Sequence, residues 1–336
     1  MLLDERTEYE PFEYPWAYDF WLRHQHSYWN HTKISLQADV HDFNHRLTEK
    51  QRSVIGNTLK GFTQTELVVG GEFWSNKPAR WFPKPEILLM CLEFGGREMI
   101  HTVAYSQVDT NLGLKNYKGF MKEKTVANKI NALVGLPGKT DAEKAVSMSV
   151  FSAFTEGVNL FSSFAILLNF SRFDLLKGLG KIVNYSILDE SEHSRAGCLL
   201  FKTFAEEYNL YNMHLKKAVY DAARMSVALE DSYLDKVFEL GDIPGISKHQ
   251  VKQFIRARAN QKLNEVGLKT NWKNLDQPAI DEIDLWFTIE SAGERDTDFF
   301  AGRVTGGYAK GNKNWDLMWD NVDPNFIETL KSKGIF

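Results

Sequence analysis

Two short motifs constrain this chain more than anything else in it: Glu98-Met-Ile-His101 and Glu190-Ser-Glu-His193. In each, a carboxylate and an imidazole stand three residues apart, so on a helix they share one face. The surroundings are helical in pattern. From Thr48, a candidate N-cap, apolar residues Val54, Ile55, Leu59, Phe62 and Val69 recur by threes and fours and carry Glu66 among them. A second helix is expected from the proline-led start near Pro83 to about Asn111, with Gly70-Gly71 weakening or ending the first. Further helical patterns run over about 121–134, 142–170, 172–208, 210–239 and 247–266, the fourth-from-last following a cap at Thr140 or Asp141. Strand-like alternation is scarce, so the fold class expected is all-α.

Glu66 and Glu156 sit in otherwise apolar helical stretches. An unpaired buried carboxylate is costly, so an acid on an apolar face needs a partner. A pair of cations meets that need for four acids at once. One Glu from each of two helices and a Glu-x-x-His from each of two others is the ligand set of ferritin-like di-iron and di-manganese carboxylate bundles. Glu66, Glu98, His101, Glu156, Glu190 and His193 are therefore the candidate metal ligands. A single Glu-x-x-His arises by chance on many solvated helices; two copies, each with an acid on a preceding helix, rarely do. Imidazole with carboxylate oxygen suits Fe or Mn.

Composition removes other classes. The net charge of −4 over 336 residues and the lack of any basic run give no reason to expect nucleic-acid binding. Two cysteines, Cys91 and Cys198, are too few for a disulfide framework and read as buried packing residues. The acidic N-terminus does not resemble a secretory signal, and the longest apolar run, Phe161 to Phe170, is too short to span a membrane. The expected location is the cytoplasm, with no membrane partner. Residues 1–295 read as one helical domain whose first 45 residues form an irregular, aromatic-rich N-terminal arm. Residues 296–336, rich in glycine, read as a flexible C-terminal tail.

Beyond the ligands, the sequence resembles the small, radical-generating subunit of class I ribonucleotide reductase, in particular its short class Ib form, from about residue 25 to residue 310. The matching segments are Tyr28-Trp29, Glu98 through Tyr105, Glu156 through Phe164, Asp189 through His193, and Asp298-Phe299-Phe300-Ala301-Gly302 followed by Tyr308. The resemblance implies a ferritin-like helical bundle with a di-metal carboxylate site in its core. It implies that Tyr105, four residues beyond His101, is oxidised to a tyrosyl radical after the reduced metals react with oxygen species, with Phe164 in the apolar shell around it. It implies a hydrogen-bonded chain of Trp29, Asp189 and His101. It also implies that Tyr308 hands the oxidising equivalent to a large subunit, on which the tail docks and where ribonucleotides are reduced to deoxyribonucleotides. A homodimer is implied too, as is a flavoprotein activator for the manganese form.

The sequence departs from the family pattern in two places. The first ligand is usually Asp, and here it is Glu66, one methylene longer. A Glu there also occurs in the subgroup with a mixed Mn/Fe centre, but that subgroup replaces the radical tyrosine with Phe, and this chain keeps Tyr105. Two Fe or two Mn ions are thus implied, with a mixed Mn/Fe pair open. The tail also lacks the family's short acidic ending. The alternative readings are a di-iron oxygenase or desaturase acting on its own organic substrate, which would have no use for Tyr308 or for a Trp29–Asp189 chain, and an iron store, which has no use for a long aromatic tail.

Overall fold

The computed structural model describes residues 1–114, 116–134 and 136–292. The chain folds into helices in the order α1 (Pro15–His26), α2 (Gln37–His45), α3 (Glu49–Val68), α4 (Pro78–Trp81), α5 (Pro85–Asn111), α6 (Tyr117–Phe120), α7 (Lys124–Val134), α8 (Asp141–Met148), α9 (Leu160–Ser171), α10 (Lys177–Glu207), α11 (Met213–Val237), α12 (Lys248–Glu265) and α13 (Gln277–Ala292). Two π-helical segments, Val69–Trp74 and Ser149–Asn159, continue α3 and join α8 to α9. Among the described residues no strand forms beyond a single bridge between Ile243 and Ile246. The all-α class expected from the sequence is what the chain adopts.

Local chemistry sets the helix starts. Thr48 accepts the Gln51 N–H while the Gln51 side chain accepts the Thr48 N–H, a reciprocal cap. Thr140 with Glu143, and Ser247 with Gln250, repeat the device at α8 and α12. The α8–π–α9 stretch, residues 141–171, is long and apolar enough to cross a membrane by composition, but its most apolar part is wholly buried within the bundle. It is the central core helix, and its apolarity serves packing.

One expectation changes. Residues 1–45 are not irregular: they hold α1 and α2. Glu86, itself fully buried, fixes the chain before α1 by accepting the Glu13 and Tyr14 N–H groups and pairing with Arg6 at 2.9 Å. Asp39 and Asp42 on α2 take the Leu176, Gly178 and Leu179 N–H groups at the start of α10, where free donors and the helix dipole favour anions. Proline and aromatic density hid these helices, because their order comes from contacts far along the chain.

Gly70-Gly71, expected to weaken or end the first helix, lies just past the end of α3 at Val68. The chain passes through it as a π-turn, and a Cβ on Gly70 would lie 2.6 Å from the Glu98 Cβ. A side chain there would push α5 away at one of the candidate ligands. The expected boundary at residue 295, the tail 296–336 and Tyr308 lie outside the described residues.

Candidate metal centre

Four helical segments each bring carboxylates or imidazoles to one buried point. Glu66 comes from the last turn of α3, Glu98 and His101 from the middle of α5, Glu156 from the second π-segment, and Glu190 and His193 from α10. All six are fully buried. Ligand-type atoms of Glu66, Glu98, His101 and Glu190 lie within 4.8 Å of one another, as do those of Glu98, Glu156, Glu190 and His193. Glu98 and Glu190 belong to both groups.

The shape of this cluster tests whether metal ions fit it. The His101 Nδ1 stands 3.1 Å from Glu190, 3.4 Å from Glu98 and 3.7 Å from Glu66. The His193 Nδ1 stands 2.6 Å from Glu98, 3.6 Å from Glu190 and 4.0 Å from Glu156. Despite this crowding, both oxygens of Glu66, Glu98 and Glu190, one oxygen of Glu156 and both Nδ1 atoms have no hydrogen-bond partner. Buried polar atoms are almost always paired, so acceptors converging without donors need a cation in their midst. Oxygen and imidazole nitrogen donors without sulfur match Fe or Mn. The residues present therefore fit a metal pair.

Electrostatics agree. Burial, then repulsion from Glu190 and Glu66, raises the Glu98 carboxyl well above its ordinary range. Burial and repulsion from Glu190 do the same to Glu156, and burial with the Glu66 charge lifts Glu190 to about 8. Four acids this close cannot all ionise without positive charge between them.

The surroundings order the cluster. The His101 Nε2 lies 3.0 Å from the Asp189 Oδ2, leaving Nδ1 to face the carboxylates, and the Trp29 indole donates to the same Oδ2 at 2.8 Å. Burial opposes charge on Asp189, but the Arg97 guanidinium and then His101 hold its carboxyl below the usual carboxylate range. Tyr105 lies one turn beyond His101 on α5 and is fully buried. Burial, then the Glu66 charge, raises its phenol pKa well above the usual value, so it stays protonated. Phe62 stands edge-on to its ring at 4.5 Å, and Phe164 packs behind Phe62 at 5.1 Å. Phe164 thus stands in the apolar surroundings of Tyr105 as the ring behind Phe62.

Sequence reading missed several neighbours. Trp74 donates its indole N–H to the Glu156 Oε1. Arg97, with a fully buried side chain, donates to the His24 carbonyl at 2.8 Å and brings its Nε to 3.8 Å from Asp189. The His24 ring stacks on His193 at 4.9 Å, and burial first of all lowers its pKa to about 3, leaving it neutral. Ser186 accepts the Tyr105 hydroxyl. The signals were faint: Arg97 precedes His101, and Ser186 precedes Glu190, by one helical turn. Cys91 and Cys198 are buried and unbridged, as expected.

The family model "Ribonucleotide reductase, small chain" matches residues 6–278. A probable ribonucleoside-diphosphate reductase small subunit of Invertebrate iridescent virus 3 is 32% identical, over 95% of this chain and 88% of that protein. Its counterpart in Invertebrate iridescent virus 6 is 30% identical, over 95% and 99% respectively. Among solved structures, the ribonucleotide reductase R2 subunit of Clostridium botulinum superposes with a TM-score of 0.76 at 19% identity, covering 85% of this chain and 91% of that one. The dimanganese(II)-NrdF of Streptococcus sanguinis gives 0.70 at 18% identity, covering 83% and 99%. The bundle is thus the ferritin-like one that the sequence led us to expect.

Proposed function

The chain belongs to the ribonucleotide reductase small-chain family, and from that premise we propose how its residues divide the work. The protein is the small subunit of ribonucleoside-diphosphate reductase, an oxidoreductase that uses a pair of Fe or Mn ions. The observation that carries the residue assignment is the set of buried, unpartnered carboxylate and imidazole atoms converging from four helical segments. Glu66 and His101 would help hold one ion and Glu156 and His193 the other, with Glu98 and Glu190 common to both groups. When bound, the pair supplies the oxidising power it gains from oxygen species.

The remaining steps belong to the protein. Tyr105 is the residue we assign to carry the radical: it is one turn from His101, dry, and walled by Phe62 and Phe164. Asp189 orients the His101 imidazole, and the Trp29 indole on its far side extends a continuous hydrogen-bonded chain away from the centre. We assign that chain to radical transfer, with Tyr308 and the tail 296–336 completing it at the large subunit, where the ribonucleotide binds. The two surface hollows, of about 400 Å³ beside Arg52 and Leu240 and about 250 Å³ beside Asn57 and Glu123, include none of the six acids and imidazoles.

A homodimer fits the outer face of α5. Leu88, Leu92 and Val103 fall on one side of that helix and are 39%, 51% and 50% exposed, with Leu67 of α3 at 47%. Such a stripe marks a contact surface, and a two-fold axis would cover it with itself. A cytoplasmic setting, and a flavoprotein activator where the ions are manganese, belong to the same proposal.

The test is electron paramagnetic resonance after separate loading with iron and with manganese, then exposure to oxygen, with superoxide added to a second manganese sample. A tyrosyl signal that disappears in Tyr105→Phe is expected, and the loading that yields it identifies a competent metal. Deleting residues 300–336 is expected to leave that signal intact and abolish turnover with the large subunit. Metal binding with no organic radical under any loading would overturn the assignment of Tyr105.

A further inference from the structure

The Tyr105 hydroxyl donates to the Ser186 Oγ at 2.9 Å, and the Ser186 Oγ donates to the Ile182 carbonyl at 3.1 Å. Both side chains are fully buried. Serines inside helices often bond the carbonyl one turn back, and Ser191 and Ser232 do so here on more open faces. Ser186 differs in using its lone pairs as well, for a phenol in a closed apolar pocket. A serine hydroxyl has one hydrogen and two lone pairs and is free to rotate, so its pattern can reverse.

We propose that Ser186 is a positioning residue for Tyr105: it accepts from the phenol in the reduced state and turns its own hydroxyl to donate to the phenoxyl oxygen once the phenol hydrogen has gone. The proposal rests on the reading of Tyr105 as the oxidised residue. Oxidation breaks the phenol O–H bond. Its electron would go to the metal pair, which when bound supplies the oxidant through oxygen, and its proton to the carboxylate cluster beside it.

Among the described residues the onward acceptor from Ser186 is the Ile182 carbonyl, which takes a hydrogen bond but no proton, so Ser186 offers no path for the proton. Loss of the phenol hydrogen leaves an acceptor facing an acceptor, and a buried pair of that kind is unfavourable. Rotation of the Ser186 hydroxyl removes the conflict at little cost, since the Ile182 carbonyl keeps its in-helix partner, the Ser186 amide. Phe62, backed by Phe164, packs edge-on against the ring, so the oxygen keeps one partner at one place in both states.

Two measurements test this, one of which needs no metal. In metal-free protein, the difference between the ultraviolet resonance Raman spectra of wild type and Tyr105→Phe isolates the bands of Tyr105. Ser186→Ala is expected to shift them to those of a phenol without an acceptor. Ser186→Thr, which keeps the hydroxyl, is expected to leave them in place. In loaded, oxygen-treated protein, high-field electron paramagnetic resonance and deuterium exchange are expected to show a hydrogen-bonded tyrosyl radical in wild type. Ser186→Ala should raise its largest g value and abolish the exchangeable coupling, and Ser186→Thr should retain both. An unchanged g value and coupling in Ser186→Ala overturns the proposal. A radical that survives Tyr105→Phe overturns the reading of Tyr105 and the proposal with it, and that single variant tells the two failures apart.

Discussion

The His101 Nε2 and the Asp189 Oδ2 stand 3.0 Å apart, and that same oxygen accepts the Trp29 indole N–H at 2.8 Å. One carboxylate oxygen therefore joins a candidate metal ligand to an aromatic ring in the connection that follows α1. Asp189→Asn keeps an oxygen able to accept both bonds and removes only the charge. Turnover with the large subunit is expected to fall by about 10- to 100-fold, the usual effect of altering a residue that orients a metal ligand, while the tyrosyl radical still forms. Steady-state assays beside radical quantitation check this, and unchanged turnover would remove Asp189 from the transfer chain.

Metal uptake should be coupled to pH. Burial and mutual repulsion raise Glu98 and Glu156 and hold Glu190 near 8 in the metal-free protein, whereas the ions bind the ionised acids. Protons and metal therefore compete, so affinity should rise with pH through about 8, with protons released on binding. Calorimetry in buffers of different ionisation enthalpy counts those protons. Stripping the ions should lower the thermal midpoint, by about 2.7 kcal/mol of stability if the free metal had stood at 100 times its Kd.

The contact between α10 and the second π-segment depends on a missing side chain. A Cβ on Gly197 would lie 2.0 Å from the Ser152 Oγ and 2.2 Å from its Cβ. Gly197→Ala is expected to cost about 1–3 kcal/mol, typical of overpacking a filled core, read as a lower denaturant midpoint. Adding Ser152→Gly should return part of the loss; if it returns none, the clash lies elsewhere.

The apolar stripe on α5 carries a prediction about assembly. Leu92 and Val103 are half exposed in the single chain, so Leu92→Glu with Val103→Glu should leave the helical circular dichroism intact. Covered by a second copy, the same charges would be buried and unpaired. Sedimentation should show wild type as a dimer and the double variant as a monomer. A dimer in both would place the interface on another face.

Much of this protein was legible in local pattern alone. Thr48 and Thr140 start helices where cap chemistry said they would, because a cap needs only residues three positions apart. Glu98 with His101, and Glu190 with His193, point the same way because a helix places such pairs on one face. Glu66 and Glu156 stood out as acids on apolar faces. The helices α1 and α2 were not legible, since Glu86 and the start of α10, which fix them, lie far away in sequence.

What the sequence determined by itself was therefore the all-helical class and the six acids and imidazoles of the candidate centre, each through short-range periodicity. Only the tertiary structure decided the lateral register of the helices. That register makes Glu98 and Glu190 common to both ligand groups, brings Trp74 to Glu156 and Arg97 to Asp189, and sets Ser186 against Tyr105. Those pairs are joined across 81 to 92 residues of chain. No local rule reaches that far: helix periodicity says which face a side chain is on, and only the packing of one helix against another, here at Gly70 and Gly197, says what it meets.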